Sequence, residues 1–304
     1  MKRTLFFSNP AYLSVKQQQL EISWPGDQHK PKKNIPIEDI GILVLEHSQI
    51  TITNSVVQEI TANKGIIIGC DNQHMPSSLM LPIEGHSELS KRYKEQINAS
   101  IPLQKNLWKQ LIEYKIHNQA ALLDRQAINN KRLLHLKNKV TSGDTNNCEA
   151  QAAVYYWDNI FDLPFFTRDR YGEPPNNLLN YGYAILRAIT ARALVASGLL
   201  TALGIFHRNK YNAYCLADDV MEPYRPFVDQ IVIDIMEEEG LEEFLSPATK
   251  QKLLKICTED VLMSKKSSPL LVAISRTTNS LQQCYEGSQR RLKLPKLSMD
   301  ARSV

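Results

Sequence analysis

The chain has 304 residues, a formal net charge of +4 at pH 7 and a hydrophobic content of 43%. This length predicts about two domains of roughly 100–200 residues each, and the hydrophobic content is enough for ordinary cores. The five cysteines include no CxxC pair, which excludes a zinc ribbon and a disulfide framework and fits a reducing compartment.

The charge is distributed unevenly. Between Leu89 and Val140 the sequence has eleven Lys and Arg but three acidic residues, a local net charge of +8, so the rest of the chain sums to −4. A basic segment beside an acidic site suits a polyanion that one region binds and another cuts or joins. The alternative is a solvated basic surface on helices.

The first 85 residues predict a β-rich domain, because short β-prone runs follow one another with turn signals between some of them. The predicted strands are Thr4–Phe7, Tyr12–Val15, Gln19–Trp24, Ile40–Leu45, Gln49–Thr53, Gly65–Gly69 and Ser78–Leu81, with a short helix over Ser55–Asn63. This pattern indicates a compact β domain over residues 1–85.

The segment Pro82–Ser87 is the predicted linker, because the hydrophobic period changes after it from 2 to 3.6. A larger all-helical domain is predicted over residues 86–290, followed by a flexible basic tail over 291–304. The predicted helices are Glu88–Ala99, Leu103–Ile116, Asn118–Ile128, Lys131–Thr141, one with Glu149 in its first turn and one from Leu178 to Ser197. The predicted fold class is therefore α+β, with a small N-terminal β domain and an all-α domain.

The longest apolar stretch does not predict a membrane span. It runs over Tyr183–Phe206 and has Arg187 and Arg192 in its middle, which predicts a core helix. The first residues begin like a signal peptide, but their apolar run ends at Phe7. We expect a cytoplasmic protein that does not contact a membrane.

Two acidic motifs stand apart in the helical region. Glu149 lies in a small, apolar segment, and an imidazole, four carboxylates and two arginines lie between His207 and Asp229. Carboxylates with a neutral imidazole form a site for a hard or borderline divalent cation. Such a cation polarises a phosphate and helps to form a nucleophile.

The second motif predicts one functional helix face with a break in it. On a helical wheel one narrow arc contains Asp218, Glu222, Arg225 and Asp229, and the opposite face contains Leu216, Val220, Phe227 and Ile231. Pro223 and Pro226 cannot both lie in a regular helix interior. A break at 222–226 is therefore expected, with Glu222 at a helix start.

The sequence lacks several other kinds of site. It contains no GxxxxGK[ST] phosphate loop, no GxGxxG turn, no GxSxG elbow and no zinc-finger spacing.

These motifs resemble a known family. The pattern Glu-x-x-Ala-Ala at 149–153, Phe-His-Arg at 206–208 and Leu-Ala-Asp-Asp-x-Met-Glu-Pro-x-Arg-Pro at 216–226 is similar to the CRISPR-associated integrase, the catalytic subunit of the spacer-acquisition complex. Residues 3–13 and 177–183 resemble its type II branch. The resemblance covers roughly residues 3 to 290.

The resemblance implies a metal centre. The family's three ligands fall on Glu149, His207 and Glu222, which are expected to be catalytic and to hold Mg²⁺ or Mn²⁺. Asp218 and Asp219 match the family's Ala-Asp pair, and one of them is expected to orient His207 or a metal-bound water. Two roles are open for Arg225, orienting the acids or forming an i,i+4 pair with Asp229.

The residues around the long loop 162–177 are expected to contact DNA. Aromatic and amide groups beside arginines suit a sugar-phosphate strand or a stacked base. The candidates are Arg168, Arg170, Tyr171, Asn177 and Tyr181, while Tyr183 is expected to pack in the core.

The implied function is integration of DNA during CRISPR adaptation. The 3′-hydroxyl of a captured fragment attacks a phosphodiester at the boundary of the repeat. The implied partners are double-stranded DNA, a second copy that makes a homodimer through the β domains, a small ferredoxin-like subunit that bridges two dimers, and the type II effector nuclease.

Two alternatives stay open. A non-catalytic DNA-binding scaffold explains the basic segment without a metal but leaves the two acidic motifs unexplained. A standalone repair nuclease for branched DNA would use the same site on another substrate.

Overall fold

The computed structural model describes residues 2–26, 31–83, 86–264 and 266–297. The chain divides into two units, Met1–Ser87 and Glu88–Val304. The division falls at the C-terminal end of the predicted linker. Residues 84–85 of the linker are outside the described residues.

Within its described residues the N-terminal unit has eight strands and one α-helix. They are β1 (Arg3–Phe7), β2 (Ala11–Lys16), β3 (Gln19–Ser23), β4 (Lys33–Pro36), β5 (Ile40–Leu45), β6 (Ile50–Ile52), α1 (Asn54–Ala62), β7 (Ile66–Cys70) and β8 (Pro76–Met80). One sheet has the order β1-β5-β7-β8 and the other β4-β3-β2-β6. Their shared core includes Leu13, Leu20, Ile40, Val56 and Ile60. The predicted β-rich domain is confirmed.

The C-terminal unit is mostly helical. It contains α2 (Leu89–Ile97), α3 (Ile101–Arg125), α4 (Lys131–Lys139), α5 (Cys148–Ile160), α6 (Asn176–Ala196), α7 (Cys215–Met221), α8 (Arg225–Glu239), α9 (Pro247–Leu253) and α10 (Leu270–Glu286). A short antiparallel hairpin, β9 (Asp260–Met263) with β10 (Lys266–Pro269), was not predicted. None of the helices in the described ranges is both long enough and apolar enough to cross a membrane.

Helix α3 is continuous over 25 residues, although the sequence predicts two helices that divide at 117. Its interior after the first turn has no proline or glycine to end it, and Ser100 caps its N-terminus by accepting a hydrogen bond from the Leu103 N–H. Buried residues recur along one side at Trp108, Ile112 and Leu122. This helix therefore passes through the core of the unit.

The C-terminal segment corrects one prediction. Residues 291–297 do not form a flexible tail, because Leu292, Leu294 and Leu297 are buried. The Lys296 N–H also donates to the carbonyl of Leu262 at 2.8 Å. The leucines let this stretch bury an apolar face. Its basic composition alone therefore gave the wrong prediction of a flexible tail. Residues 298–304 of the predicted tail lie outside the described residues.

Asn118 ties this segment to α3. Its side-chain amide donates to the carbonyls of Pro223 and Pro295 at 2.7 and 3.2 Å and accepts from the Leu297 N–H at 3.0 Å. The side chain is fully buried. Asn118 therefore satisfies three backbone groups that would otherwise be desolvated without partners.

We expect Asn118→Ala to lower the free energy of unfolding by about 2–4 kcal/mol, because buried polar groups lose their partners. Urea unfolding followed by circular dichroism measures the change. Asn106→Ala is the matched control, since Asn106 is exposed on the same helix. An equal effect of the two substitutions would contradict the assignment.

Candidate metal centre

Glu149 lies in the first turn of α5, as predicted, and the preceding loop fixes its backbone. The carboxylate of Asp144 accepts from the Cys148 N–H and the Glu149 N–H, each at 2.9 Å. This caps two of the N–H groups that lack partners at a helix start. Asn147 takes a left-handed conformation, which ends the loop just before the helix.

Glu222 lies at the predicted break. A short 3₁₀ helix over Glu222–Tyr224 separates α7 from α8, so Pro223 and Pro226 each lie in the first turn of their own helix. The side chain of Glu222 is buried, with 4% of the residue exposed. Arg225 Nε donates to Glu222 Oε1 at 2.8 Å. Arg225 therefore orients this acid, which was one of its two predicted roles.

Lys115 brings the two separated acids together. Its Nζ lies 2.7 Å from Glu149 Oε1 and 2.7 Å from Glu222 Oε2. The lysine side chain is only 12% exposed. Two carboxylates from segments far apart in sequence thus share one cation in a largely buried position.

Sequence reasoning missed Lys115, although one signal was present. Lys115 lies within the basic segment 89–140, which predicts a DNA-binding or solvated surface. On α3, however, Lys115 follows Trp108 by two turns and Ile112 by one, which places it on the buried stripe. A lysine on an apolar stripe predicts a buried anionic partner.

The charges stabilise one another across this pair. Burial alone would raise the pKa of Glu222, but Arg225 and Lys115 lower it to about 2. Burial alone would lower the pKa of Lys115, but Glu222 and Glu149 raise it above its ordinary value. Both the carboxylate and the ammonium are therefore charged at neutral pH.

Asp219, and not Asp218, orients His207. Its Oδ2 accepts from the backbone N–H groups of Ile205 at 2.6 Å and Phe206 at 2.9 Å. Its Oδ1 accepts from His207 Nδ1 in a short hydrogen bond. This hydrogen bond raises the pKa of His207.

Gly204 lets the backbone pack closely against His207 and Asp219. A Cβ atom at Gly204 would lie 2.4 Å from the His207 carbonyl oxygen and 2.9 Å from Asp219 Oδ2. The ring of Phe206 stacks on buried Trp108 with 4.3 Å between centroids, and the His207 ring meets Trp108 edge-on at 5.8 Å. Since Nδ1 is engaged by Asp219, Nε2 is the nitrogen that remains for a ligand or a proton.

Asp218 has a different task from Asp219. It accepts from Arg187 Nε and Nη2 at 2.6 and 2.9 Å and from Asn212 Nδ2 at 2.7 Å. These contacts join α7 to α6 and to the loop that follows His207. Asp218 therefore stabilises the scaffold of the site.

The predicted donor set has the chemistry that a divalent cation prefers, but its three side chains are not assembled into a metal site. Within the described residues, no three His, Cys, Asp or Glu side chains form a group that could hold a metal ion. The ammonium of Lys115 lies between the carboxylates of Glu149 and Glu222 instead, so these two acids bind a cation in the structure. The set of Glu149, Glu222 and His207 stays a prediction, and its oxygen and nitrogen donors suit Mg²⁺ or Mn²⁺.

A cavity of about 220 Å³ adjoins Lys115 and Glu222. Its lining includes Lys115, Glu222 and Arg225 from the site, with Gln119, Ala153, Trp157, Arg168, Tyr183 and Asp229. At its wall, the buried carboxyl of Asp229 accepts from the hydroxyls of Tyr156 at 2.8 Å and Tyr183 at 2.5 Å.

Burial raises the pKa of Asp229 from 3.8 to about 6, against the hydrogen bonds of the two tyrosines. Between about pH 4 and pH 6 the Asp229 carboxyl is therefore protonated more readily in the folded protein than in the unfolded chain. The ionised carboxyl costs roughly 3 kcal/mol of stability above pH 6, and this cost disappears as the pH falls toward 4.

We expect the stability of the wild type, relative to Asp229→Asn, to rise by about 3 kcal/mol between pH 7 and pH 4. Comparison with the variant at each pH removes the titration of the other groups. Urea unfolding of both proteins across this range measures the change. A difference that does not depend on pH would contradict it.

The residues predicted to contact DNA differ in their exposure in the structure. Arg170 and Tyr171 are exposed, and Tyr171 is 89% exposed. Arg168 lines the cavity and donates to Asn176 Oδ1 and Asn180 Oδ1 at 2.9 and 2.7 Å. These three side chains border the site or face solvent, so their contact with DNA stays a prediction.

Asn177 and Tyr181 make contacts within the protein. The amide of Asn177 donates to the carbonyls of Glu242 and Glu243 at 2.7 and 3.0 Å. Tyr181 is fully buried, and Lys250 lies over its ring. A direct contact of Tyr181 with DNA is therefore wrong for this conformation, because the aromatic ring packs in the core of α6.

Comparison with known proteins covers most of the chain, including the candidate site. The family model for CRISPR associated protein Cas1 matches residues 5–259. A CRISPR-associated endonuclease Cas1 from Neisseria meningitidis serogroup C (strain 8013) is 36% identical over 298 residues, which cover 97% of this chain and 96% of the relative.

Solved structures share the fold. A casposase bound to integration product superposes with a TM-score of 0.83 at 20% identity, covering 100% of this chain and 96% of that one. A chain of the Cas6-RT-Cas1–Cas2 complex gives 0.71 at 20% identity, covering 93% of this chain and 34% of that one.

Proposed function

Because the chain belongs to the CRISPR-associated Cas1 family, we propose that it is a metal-dependent DNA endonuclease and integrase that acts in the cytoplasm. Its reaction joins the 3′-hydroxyl of a captured DNA fragment to the boundary of a CRISPR repeat. One observation carries the proposal. Glu149 and Glu222, from different helices, meet at one cation.

The reaction is a transesterification. The 3′-oxygen of the fragment forms a bond to the phosphorus of the target strand, and the bond from that phosphorus to the neighbouring 3′-oxygen breaks. The attacking hydroxyl loses its proton, and the leaving 3′-oxygen gains one. With water as the attacking group, the same displacement is hydrolysis.

The residues of the chain prepare this reaction by charge and position. Glu149, Glu222 and His207 Nε2 would hold Mg²⁺ or Mn²⁺, which when bound supplies positive charge to the phosphate and to the attacking oxygen. Arg225 holds Glu222 in one orientation. Asp219 holds His207 so that Nε2, and not Nδ1, is presented.

DNA and a small partner subunit belong to the proposal. The casposase neighbour is bound to an integration product, and another neighbour is a complex that includes Cas2. The basic segment 89–140 and the exposed Arg170 and Tyr171 suit a DNA backbone. We propose a homodimer and a ferredoxin-like bridging subunit, with the type II effector nuclease as a functional partner.

The test is strand transfer of a short duplex with free 3′-hydroxyls into a supercoiled plasmid that carries a CRISPR repeat. The reaction contains Mg²⁺ or Mn²⁺ and the small partner protein. Joined product that depends on the metal is the expected result. Tight DNA binding without joining or cutting would indicate a scaffold, and cleavage of branched DNA without joining would indicate a repair nuclease.

A further inference from the structure

The ammonium of Lys115 lies at the point where one cation can contact both acids. It is 2.7 Å from Glu149 Oε1 and 2.7 Å from Glu222 Oε2. Mg²⁺ binds oxygens at about 2.0–2.1 Å, so an ion held by the same two oxygens would lie at nearly the same place. The ammonium and the metal therefore cannot both occupy it.

A second acceptor for the ammonium lies on the same cavity. Gln119 lies one turn after Lys115 on α3, and both side chains line the cavity of about 220 Å³. The Oε1 atom of Gln119 is buried and has no hydrogen-bond partner among the described residues. A buried acceptor without a donor is costly, and an ammonium beside it would remove the cost.

The charge balance connects this exchange to a bound anion. Glu149 and Glu222 are matched by Lys115 and Arg225 in the structure. A divalent cation that enters while Lys115 stays in the cavity leaves a surplus of positive charge. This surplus is complementary to the phosphodiester of DNA.

Resting on the proposed function, we propose that Lys115 is a positioning residue that occupies the metal position in the metal-free protein and moves toward Gln119 when a divalent cation binds. It keeps the two acids close to each other in the absence of metal. It also lowers the affinity for metal, because its ammonium must be displaced first.

The first test is calorimetric titration of Mn²⁺ into the full chain. Lys115→Met keeps the length of the side chain and removes the charge, so we expect Mn²⁺ to bind at least tenfold more tightly. Without metal the same variant is expected to melt at a lower temperature than the wild type, because two carboxylates lose a shared cation. Lys109→Met, on the same helix but paired with Glu113 outside the site, is the control.

The outcomes separate the two proposals. If Glu149→Gln binds Mn²⁺ as tightly as the wild type, the proposed metal centre is wrong. If Glu149→Gln loses the binding but Lys115→Met does not gain affinity, the metal centre stands and the role of Lys115 is overturned.

A second measurement does not require a lysine variant to fold. Crystal structures of the wild type with and without MnCl₂ are expected to show the Lys115 Nζ near Gln119 Oε1 and between the two acids, respectively. Gln119→Leu in the otherwise unchanged chain is expected to weaken Mn²⁺ binding severalfold. An ammonium that stays between the acids beside bound metal would overturn the proposal.

Discussion

Glu149→Gln is expected to lower strand transfer by more than about 100-fold. Mutation of groups that only support a metal ligand already costs about 10–100-fold, and Glu149 is proposed to be a ligand itself. Glutamine has the same shape and lacks the charge, so it cannot balance a divalent cation in this pocket.

The fold of this variant should survive. Asp144 accepts from the backbone N–H of residue 149, and a change of side chain leaves that hydrogen bond in place. Lys115 keeps Glu222 as a partner. We therefore expect unfolding to change by less than about 1 kcal/mol, since Glu149 is partly exposed.

The plasmid assay with wild type, Glu149→Gln and Glu237→Gln side by side measures this effect. Glu237 is an exposed carboxylate at the end of α8 and should tolerate glutamine without loss. Joining by Glu149→Gln at the level of the Glu237 control would rule out a direct role of Glu149.

Asp219→Ala is expected to lower the free energy of unfolding by at least about 3 kcal/mol. Asp219 is fully buried and accepts from the backbone N–H groups of Ile205 and Phe206 and from His207. Each buried donor that loses its acceptor costs about 1–3 kcal/mol. The loop that carries His207 would also lose its anchor.

Two readouts test this prediction. Urea unfolding followed by circular dichroism gives the stability, and Mn²⁺ titration reports whether His207 still supports binding. Asp158→Ala is the control, because Asp158 is exposed on α5. A loss no greater than that of the control would show that the N–H groups find other acceptors.

Local chemistry was enough to predict the backbone around two of the candidate ligands. Glu149 in a first turn follows from the polar, cap-forming loop before it. The break at Glu222 follows from Pro223 and Pro226, since a proline is tolerated only where no helical N–H is needed. Each of these rules depends on neighbours within a few residues.

Other features could not be predicted in this way. The sequence did not distinguish Asp218 from Asp219, because both face polar partners that come from elsewhere in the fold. The burial of Tyr181 and the packing of residues 291–297 also depend on distant elements. A basic or aromatic composition describes what a segment can bind, and not what covers it.

The sequence by itself determined the α+β class, and it predicts a division near residue 85 and a site formed by Glu149, Glu222 and His207. These follow from periodicity, from turn and cap residues, and from motifs that a family resemblance connects. Only the tertiary structure decided that Lys115 lies between Glu149 and Glu222 and that Asp219 holds His207. Those contacts join residues that are distant along the chain, and their energies depend on burial, which packing alone establishes.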